Sequence, residues 1–338
     1  MSSSIGDTET EMTLTVLGCG TMGIAILSGI LSSLSAPETP NPIPPTTSGT
    51  STPVYPTSPL TRLPSKFIAC VRRPESAKKV HQALSPYLTS SSTSLAILQN
   101  DNVSAVQQAD IVLLSCKPYM VNEILSEPGM GQALTGKLLI SICAGITIEQ
   151  LYSELFTEQT KGLTDIASAS NPCTIVRAMP NTASQIRESM TVIGTSTPPL
   201  PESTTALITW IFTRIGEVVF LPPSTMDACT ALCGSGPAFF ALMLEATIDG
   251  AVAMGLPRAE AQKMAAQTMR GAAGLVLSGE HPALLRDKVS TPGGCTIGGL
   301  LVLEEGRVRG TVARAVREAT VVAGQLGRGV VGVNGTRF

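Results

Sequence analysis

Charged residues and histidines are scarce in this sequence. Only 14% of its 338 residues are charged, the formal net charge is −2, and the two histidines are His81 and His281. A protein that binds nucleic acid needs clustered Lys and Arg to neutralise phosphates. The sequence contains no such cluster, so we predict no nucleic-acid partner.

The sequence also lacks Cys-x-x-Cys pairs, although it contains eight cysteines. With so few histidines, this spacing disfavours a zinc site, and we predict no bound metal. Four cysteines lie in or just after predicted strands: Cys19, Cys70, Cys116 and Cys143. We interpret them as reduced packing residues, with a redox or catalytic thiol as the alternative.

Long apolar runs and targeting signals are missing as well. Glycine or polar residues interrupt the longest apolar stretches, so no run is expected to reach the length of a membrane-spanning helix. Residues 1–11 contain Asp7, Glu9 and Glu11 and no basic stretch followed by an apolar one, which argues against secretion and mitochondrial import. We therefore predict a cytoplasmic protein without a membrane partner.

A glycine-rich motif near the N-terminus is the most informative feature present. Residues 13–23 read Thr-Leu-Thr-Val-Leu-Gly-Cys-Gly-Thr-Met-Gly, and an apolar helical pattern follows. A strand, a Gly-x-Gly-x-x-Gly turn and a helix in this order predict a dinucleotide site, whereas a structural turn is the alternative. The predicted cofactor-binding residues here are Gly18, Cys19, Gly20, Thr21, Met22 and Gly23.

Strand and helix patterns alternate through the first two thirds of the chain. We predict strands at 13–17, 66–71, 94–98, 111–115, 138–142 and 174–178. Alternation of this kind predicts a Rossmann-type parallel α/β domain, which we assign to residues 12–223. Residues 36–64 are rich in Pro, Ser and Thr, and we interpret them as a disordered surface insertion within that domain.

Only helical patterns follow, and we assign residues 224–328 to an all-α dimerisation and substrate domain. The predicted helices span 226–233, 238–254, 258–278, 282–289 and 308–327, with a break at residues 234–237. Their apolar faces are wide and rich in Ala, Leu, Val and Met. Such faces favour pairing with a second copy of the chain, and we predict a homodimer or a higher homo-oligomer.

The end of the second strand indicates which dinucleotide is bound. An acidic residue there is typical of NAD sites, whereas the 2′-phosphate of NADP calls for positive charge. This strand is followed by Arg72 and Arg73 with no acid beside them, and paired arginines suit a phosphate. We predict NADPH as the cofactor, with NADH possible; the alternative is that both arginines are ordinary solvated charges.

Motifs spread along the chain resemble those of pyrroline-5-carboxylate reductases. Besides the glycine motif, they include Lys117-Pro118, Arg177-Ala178-Met179-Pro180-Asn181-Thr182, Gly234-Ser235-Gly236-Pro237 and Met254-Gly255-Leu256-Pro257. The most specific part runs from Asp287 to Ile297 and is similar to the family signature Asp-x-Val-x-Ser-Pro-Gly-Gly-x-Thr-Ile. Thr291 stands where that signature has Ser, which keeps the hydroxyl and adds a methyl group.

The resemblance implies an enzyme that reduces L-1-pyrroline-5-carboxylate to L-proline, the final step of proline biosynthesis. It implies Thr296 as the catalytic residue, through a hydrogen bond to the ring nitrogen; a helix N-cap is the alternative role. The implied substrate-binding residues are Thr291, Gly293, Gly294, Cys295 and Thr296. The further implied cofactor-binding residues are Asn102, Ser115, Cys116, Lys117, Pro118, Cys143, Ala144 and Gly145.

Two other functions compete with this interpretation. An NADP-dependent 3-hydroxy acid dehydrogenase combines the same glycine motif with a helical second domain, but it relies on a lysine within Gly-x-x-x-Lys. The lysines after Ser224 are Lys263 and Lys288, and neither follows a glycine by four positions. A non-catalytic NADPH-binding sensor is the second alternative, and the intact Gly293-Gly294-x-Thr296 segment argues against it.

Overall fold

The structure is a computed structural model that describes residues 11–35, 62–88, 93–155 and 173–330, together with 332 and 335. Of the predicted insertion 36–64, residues 36–61 lie outside the described residues. Residue 64 is the wrong end for the predicted insertion, because Pro64 is buried and begins a strand.

An eight-stranded sheet organises the first domain, in the order β3-β2-β1-β4-β5-β6-β7-β8. Its strands are β1 (Met12–Leu17), β2 (Pro64–Val71), β3 (Ser94–Gln99), β4 (Ile111–Leu114), β5 (Leu138–Ser141), β6 (Thr174–Met179), β7 (Ser189–Gly194) and β8 (Gly216–Leu221). Every neighbouring pair is parallel except β6 and β7, which are antiparallel. The predicted Rossmann-type domain followed by helices is confirmed.

The last part of this sheet was missed by the sequence analysis. All six predicted strands are present within about two residues of their predicted ends, but β7 and β8 are additional. A short 3₁₀ turn at Thr182–Ile186 separates β6 from β7, in place of a crossover helix. A parallel return needs a long crossover, so the additional strand β7 runs antiparallel to β6, whereas the six predicted strands are all parallel.

Helices cover both faces of the sheet. They are α1 (Thr21–Ser35), α2 (Pro74–Leu84), α3 (Asn102–Gln107), α4 (Val121–Leu125), α5 (Met130–Leu134), α6 (Ile148–Leu155) and α7 (Glu202–Thr213). Neighbouring strand residues point to opposite faces: Leu113 packs in the core under α1, α2 and α7, and Leu114 packs in the core under α3 to α6. The central strands of the sheet are therefore buried on both sides, as their apolar sequences require.

The remaining helices pack loosely in one chain. They are α8 (Met226–Cys229), α9 (Gly236–Ala253), α10 (Arg258–Leu277), α11 (Pro282–Val289), α12 (Cys295–Glu305) and α13 (Val308–Gly327). Large apolar side chains on them are exposed, among them Leu242, Met254, Leu277 and Val302, at 65% or more of their surface. Exposed apolar area on this scale is typical of an interaction surface.

Residues 223–253 form one long helix, because a π-helical turn at Thr230–Ser235 joins α8 to α9. The predicted break at residues 234–237 is therefore wrong. An 18-residue window of the joined helix has a mean hydropathy of 1.4, and the helix's length and composition would allow it to cross a membrane, contrary to the sequence prediction. Only 17% of its apolar window is buried, so its apolar surface needs a partner that one chain does not supply.

Gly216 generates a stability prediction. Its φ is +146°, and a Cβ there would overlap the backbone of Ser189, its neighbour in β7. Gly194 is the matched control, because a Cβ there would meet its nearest neighbour at an ordinary 3.7 Å. In urea unfolding we expect Gly216→Ala to lower the unfolding free energy by about 3 kcal/mol or more, and Gly194→Ala by less than about 1 kcal/mol. Equal stabilities would contradict this packing.

Candidate functional site

The β1–α1 loop, which carries the glycine motif, packs tightly against the end of β4. Gly18 has φ +73°, and a Cβ there would lie 2.6 Å from the Cys116 Cβ. A Cβ on Gly23 would lie 2.9 Å from the Ser115 Oγ. Gly20 differs, because its nearest neighbour would be 3.9 Å away. Two glycines of the motif are thus required by the fold, whereas the third leaves open space.

Hydrogen bonds fix this loop on the carboxyl edge of the sheet. Ser115 Oγ donates to the Gly18 carbonyl at 3.0 Å, and the Cys19 N–H donates to the Cys70 carbonyl at 2.9 Å. The first turn of α1 begins at the exposed Thr21. N–H groups in a first turn have no partner within their helix, so the start of α1 presents donors beside Gly20, a geometry suited to a phosphate.

The thiols around the loop are buried. Burial raises the pKa of both Cys19 and Cys70 to about 12. Cys116 and Cys143 lie on neighbouring strand ends with their sulfurs 3.9 Å apart, and this contact, followed by burial, raises the pKa of Cys116. All four cysteines are buried and free, which fits the interpretation that they pack the ends of strands.

The predicted phosphate-binding arginines lie next to an acid that the sequence analysis did not find. Arg72 and Arg73 are exposed after β2. The Arg72 guanidinium lies 4.0 Å from a carboxylate oxygen of Glu123 on α4. Glu123 belongs to a different crossover, so the sequence around β2 does not reveal it. Asn102 begins α3 nearby, and its amide donates to Glu127 at 2.6 Å.

Other predicted cofactor residues follow β4 and β5 on the same edge. Lys117 is exposed and extended, with φ −69° and ψ 144°, before a 3₁₀ turn that begins at Pro118. Ala144 is exposed, and Gly145 has φ +77°. Because β1, β4 and β5 are neighbours, the structure brings these residues to the same edge as the glycine loop.

The predicted substrate residues lie elsewhere, at the start of α12. Gly293 has φ +70° and Gly294 is the N-cap residue, so Thr296 lies in the first turn. Thr296 Oγ forms no hydrogen bond within the described chain, so it does not cap its own helix here. The Thr291 hydroxyl lies over Gly294, where a Cβ would overlap it, and the Thr291 carbonyl accepts from the Gly294 N–H at 3.0 Å. Cys295 is exposed.

One chain does not bring the two groups of residues together. Within the described ranges, residues 291–296 form no hydrogen bond or ion pair with the sheet domain. A Cβ on Gly293, Gly298 or Gly299 would meet no atom within 4 Å. The N-terminal end of α12 is therefore accessible for contact with another molecule.

Contacts that the sequence pattern does not reveal join the two domains. Gln150 on α6 donates to the carbonyl of Gly327 at the end of α13. Arg177, on β6, is 7% exposed and lies near Glu149 and Asp227; burial lowers the pKa of its guanidinium, against the attraction of these two acids. A Thr-x-x-Gln pattern at Thr147 predicts that Gln150 caps the start of α6. No local pattern predicts its second partner, the Gly327 carbonyl.

Across the part of the chain that the structure describes, no group of three His, Cys, Asp or Glu side chains could hold a metal ion. The chemistry of this edge of the sheet is instead that of backbone donors, hydroxyl groups and exposed cations.

Two family models match the chain. One, described as pyrroline-5-carboxylate reductase dimerisation, matches residues 223–326. The other, described as NADP oxidoreductase coenzyme F420-dependent, matches residues 56–145. The first therefore covers the helical domain, and the second covers part of the sheet domain.

Curated relatives match almost the whole length. A pyrroline-5-carboxylate reductase of Lophium arboricola is 66% identical, with 97% of both chains covered. One of Neurospora crassa is 62% identical, again with 97% of both chains covered. A solved structure of Plasmodium falciparum pyrroline carboxylate reductase with NADP bound has a TM-score of 0.67 at 24% identity. The match covers 94% of this chain and 99% of that one, so the two proteins share a fold.

The glycine loop generates a prediction that separates folding from ligand binding. In Gly20→Ala, the added methyl group fits within the protein but occupies the space in front of the α1 N-terminus. We therefore expect NADPH affinity to fall by about tenfold or more, with little change in melting temperature. In Gly23→Ala, the added Cβ meets Ser115 and Val16. This variant should lower the unfolding free energy by about 1–3 kcal/mol and the melting temperature by several degrees. Calorimetry and NADPH titration distinguish them, and a Gly20→Ala protein with parental affinity would refute the assignment.

Proposed function

This chain belongs to the pyrroline-5-carboxylate reductase family, as its 66% and 62% identical relatives establish, and we propose that it reduces L-1-pyrroline-5-carboxylate to L-proline. The resemblance noted in the sequence is confirmed. The single observation that carries the proposal is similarity to named reductases along nearly the whole chain, through both the glycine loop and the α12 segment. The enzyme is an NAD(P)H-dependent oxidoreductase.

NADPH fits the residues present at the carboxyl edge of the sheet. The open space at Gly20 and the unpaired N–H groups of the first turn of α1 suit its pyrophosphate. Arg72 and Arg73 are exposed and available to the 2′-phosphate, and Arg72 would exchange Glu123 for that phosphate. Residues 115–118 and 143–145 would line the rest of the cleft. When bound, NADPH supplies the hydride.

The substrate half of the site would be the N-terminal end of α12. Backbone N–H groups beside Gly293 and Gly294 suit a carboxylate, which the helix dipole also favours. The Thr296 hydroxyl lies in the same turn and has no hydrogen-bond partner among the described residues, so it is available to hydrogen-bond the ring nitrogen and stabilise its charge as the hydride arrives. Thr291 and Cys295 flank this turn, and the Thr291 hydroxyl occupies the space that a Cβ on Gly294 would need.

A second copy of the chain would complete each active site. The helical domain matches a dimerisation family, which supports a homo-oligomer, and its apolar faces are exposed in one chain. Because residues 291–296 form no hydrogen bond or ion pair with the described residues of their own sheet domain, we propose that they face the cofactor cleft of the partner. Assembly beyond a dimer, a cytoplasmic location, and the absence of nucleic-acid and membrane partners stay predictions.

The two rival functions have less support. No lysine of the helical domain stands in a Gly-x-x-x-Lys segment, so the dehydrogenase alternative lacks its catalytic group. A sensor without turnover has no need of the Gly293-Gly294-x-Thr296 segment, which is intact here.

Variants of Thr296 test the proposal. The purified protein is mixed with NADPH and pyrroline-5-carboxylate, and oxidation of NADPH is followed by absorbance. Loss of one hydrogen bond, about 1–2 kcal/mol, should make Thr296→Ala roughly five- to thirtyfold slower in turnover. Affinity for NADPH should barely change, because the cofactor is held by the other domain.

Two further variants serve as controls for shape. Thr296→Ser retains the hydroxyl and should recover most of the turnover, whereas Thr296→Val retains the shape and should not. If Val works as well as Ser, the residue acts through packing and the ring nitrogen is served by another group. A parent protein that leaves NADPH unoxidised with this substrate would refute the function itself.

A further inference from the structure

Gln150 joins the end of α13 to the loop that follows β5. Its Nε2 donates to the Gly327 carbonyl at 2.8 Å, and its Oε1 accepts from the Thr147 N–H at 2.8 Å. The Thr147 hydroxyl accepts in return from the Gln150 N–H at 3.2 Å, which completes a capping box at the start of α6. One amide therefore serves two helices in two domains.

Gly145 and Gly327 allow the end of α13 and the 143–145 loop to approach each other closely at this contact. Gly145 has φ +77°, and a Cβ on it would lie 3.1 Å from the Gly327 Cα. A Cβ on Gly327 would lie 2.5 Å from the Gly145 carbonyl oxygen. The end of α13 and the 143–145 loop therefore meet backbone to backbone, and a side chain larger than hydrogen at either position would push them apart.

A continuous row of packed groups runs from this contact to the glycine loop. Within the 143–145 loop, the Cys143 Sγ donates to the Cys116 carbonyl at 3.4 Å and lies 3.9 Å from the Cys116 Sγ. The Cys116 Cβ in turn packs against Gly18, where no Cβ could be added. Because protein interiors are close-packed, a displacement of the 143–145 loop is felt at the glycine loop.

We propose that Gln150 is a positioning residue for the cofactor: it docks the end of α13 on the 143–145 loop and so holds the NADPH cleft in its binding shape. The inference rests on the proposed function, because it takes the glycine loop as the NADPH site. It adds that the helical domain contributes to NADPH binding through its last turn, without touching the cofactor.

The variant Gln150→Glu isolates the bond between the domains. A carboxylate keeps an acceptor for the Thr147 N–H but has no hydrogen to donate to Gly327, and its charge faces a carbonyl oxygen. We expect NADPH binding by the full-length enzyme, followed by its fluorescence, to weaken by about five- to tenfold. Turnover at saturating NADPH should stay within about twofold of the parent. Gln132→Glu, on the exposed surface of α5, makes the same charge change and should leave both quantities unchanged.

Gly327→Ala tests the contact from the opposite side and should weaken NADPH binding in the same direction. The double variant should be little worse than either single one, because both remove the same contact. Parental NADPH affinity in Gln150→Glu would overturn the proposal, whatever its melting temperature, and so would a loss of turnover as large as the loss of affinity. A parent enzyme that does not bind NADPH would instead contradict the proposed function.

Discussion

The close contact between the glycine loop and the end of β4 is the constraint on which the rest of the structure depends. Gly18 and Gly23 are fixed by contacts with Cys116 and Ser115, whereas Gly20 faces open space. The loop is therefore held in one position by the fold, and the N–H groups of the first turn of α1, which follows it, are positioned before any ligand arrives. Pre-organisation of this kind avoids ordering costs when an anion binds, and it links the packing of strand ends directly to cofactor binding.

Much of the fold could be predicted from local pattern. Apolar strands followed by helical repeats gave six of the eight strands and the helical character of the second domain. The π-helical turn at Thr230–Ser235 was not predicted, because Gly and Pro at 234–237 indicate a break when read locally, whereas packing against α13 and β6 keeps the helix continuous. The antiparallel β7 depends on a short turn whose sequence resembles an ordinary loop.

The site was predictable where its residues are contiguous and not where they meet across domains. The glycine loop and the 291–297 segment could be recognised as motifs. Glu123 beside Arg72 and Gln150 beside Gly327 could not, because each pair joins elements far apart in the chain. Their partners are set by the order of strands and by the docking of α13, which no local spacing encodes.

The central claim is that each active site is built from two chains, and a defined heterodimer tests it most directly. Gly20→Val, which blocks the cofactor cleft, and Thr296→Tyr, which blocks the α12 N-terminus, are co-expressed with different tags and purified as the mixed dimer. If each active site is built from two chains, one site of the heterodimer contains both substitutions and the other contains neither. The heterodimer should then regain about half of the parental turnover. A heterodimer as inactive as each variant alone would contradict the account.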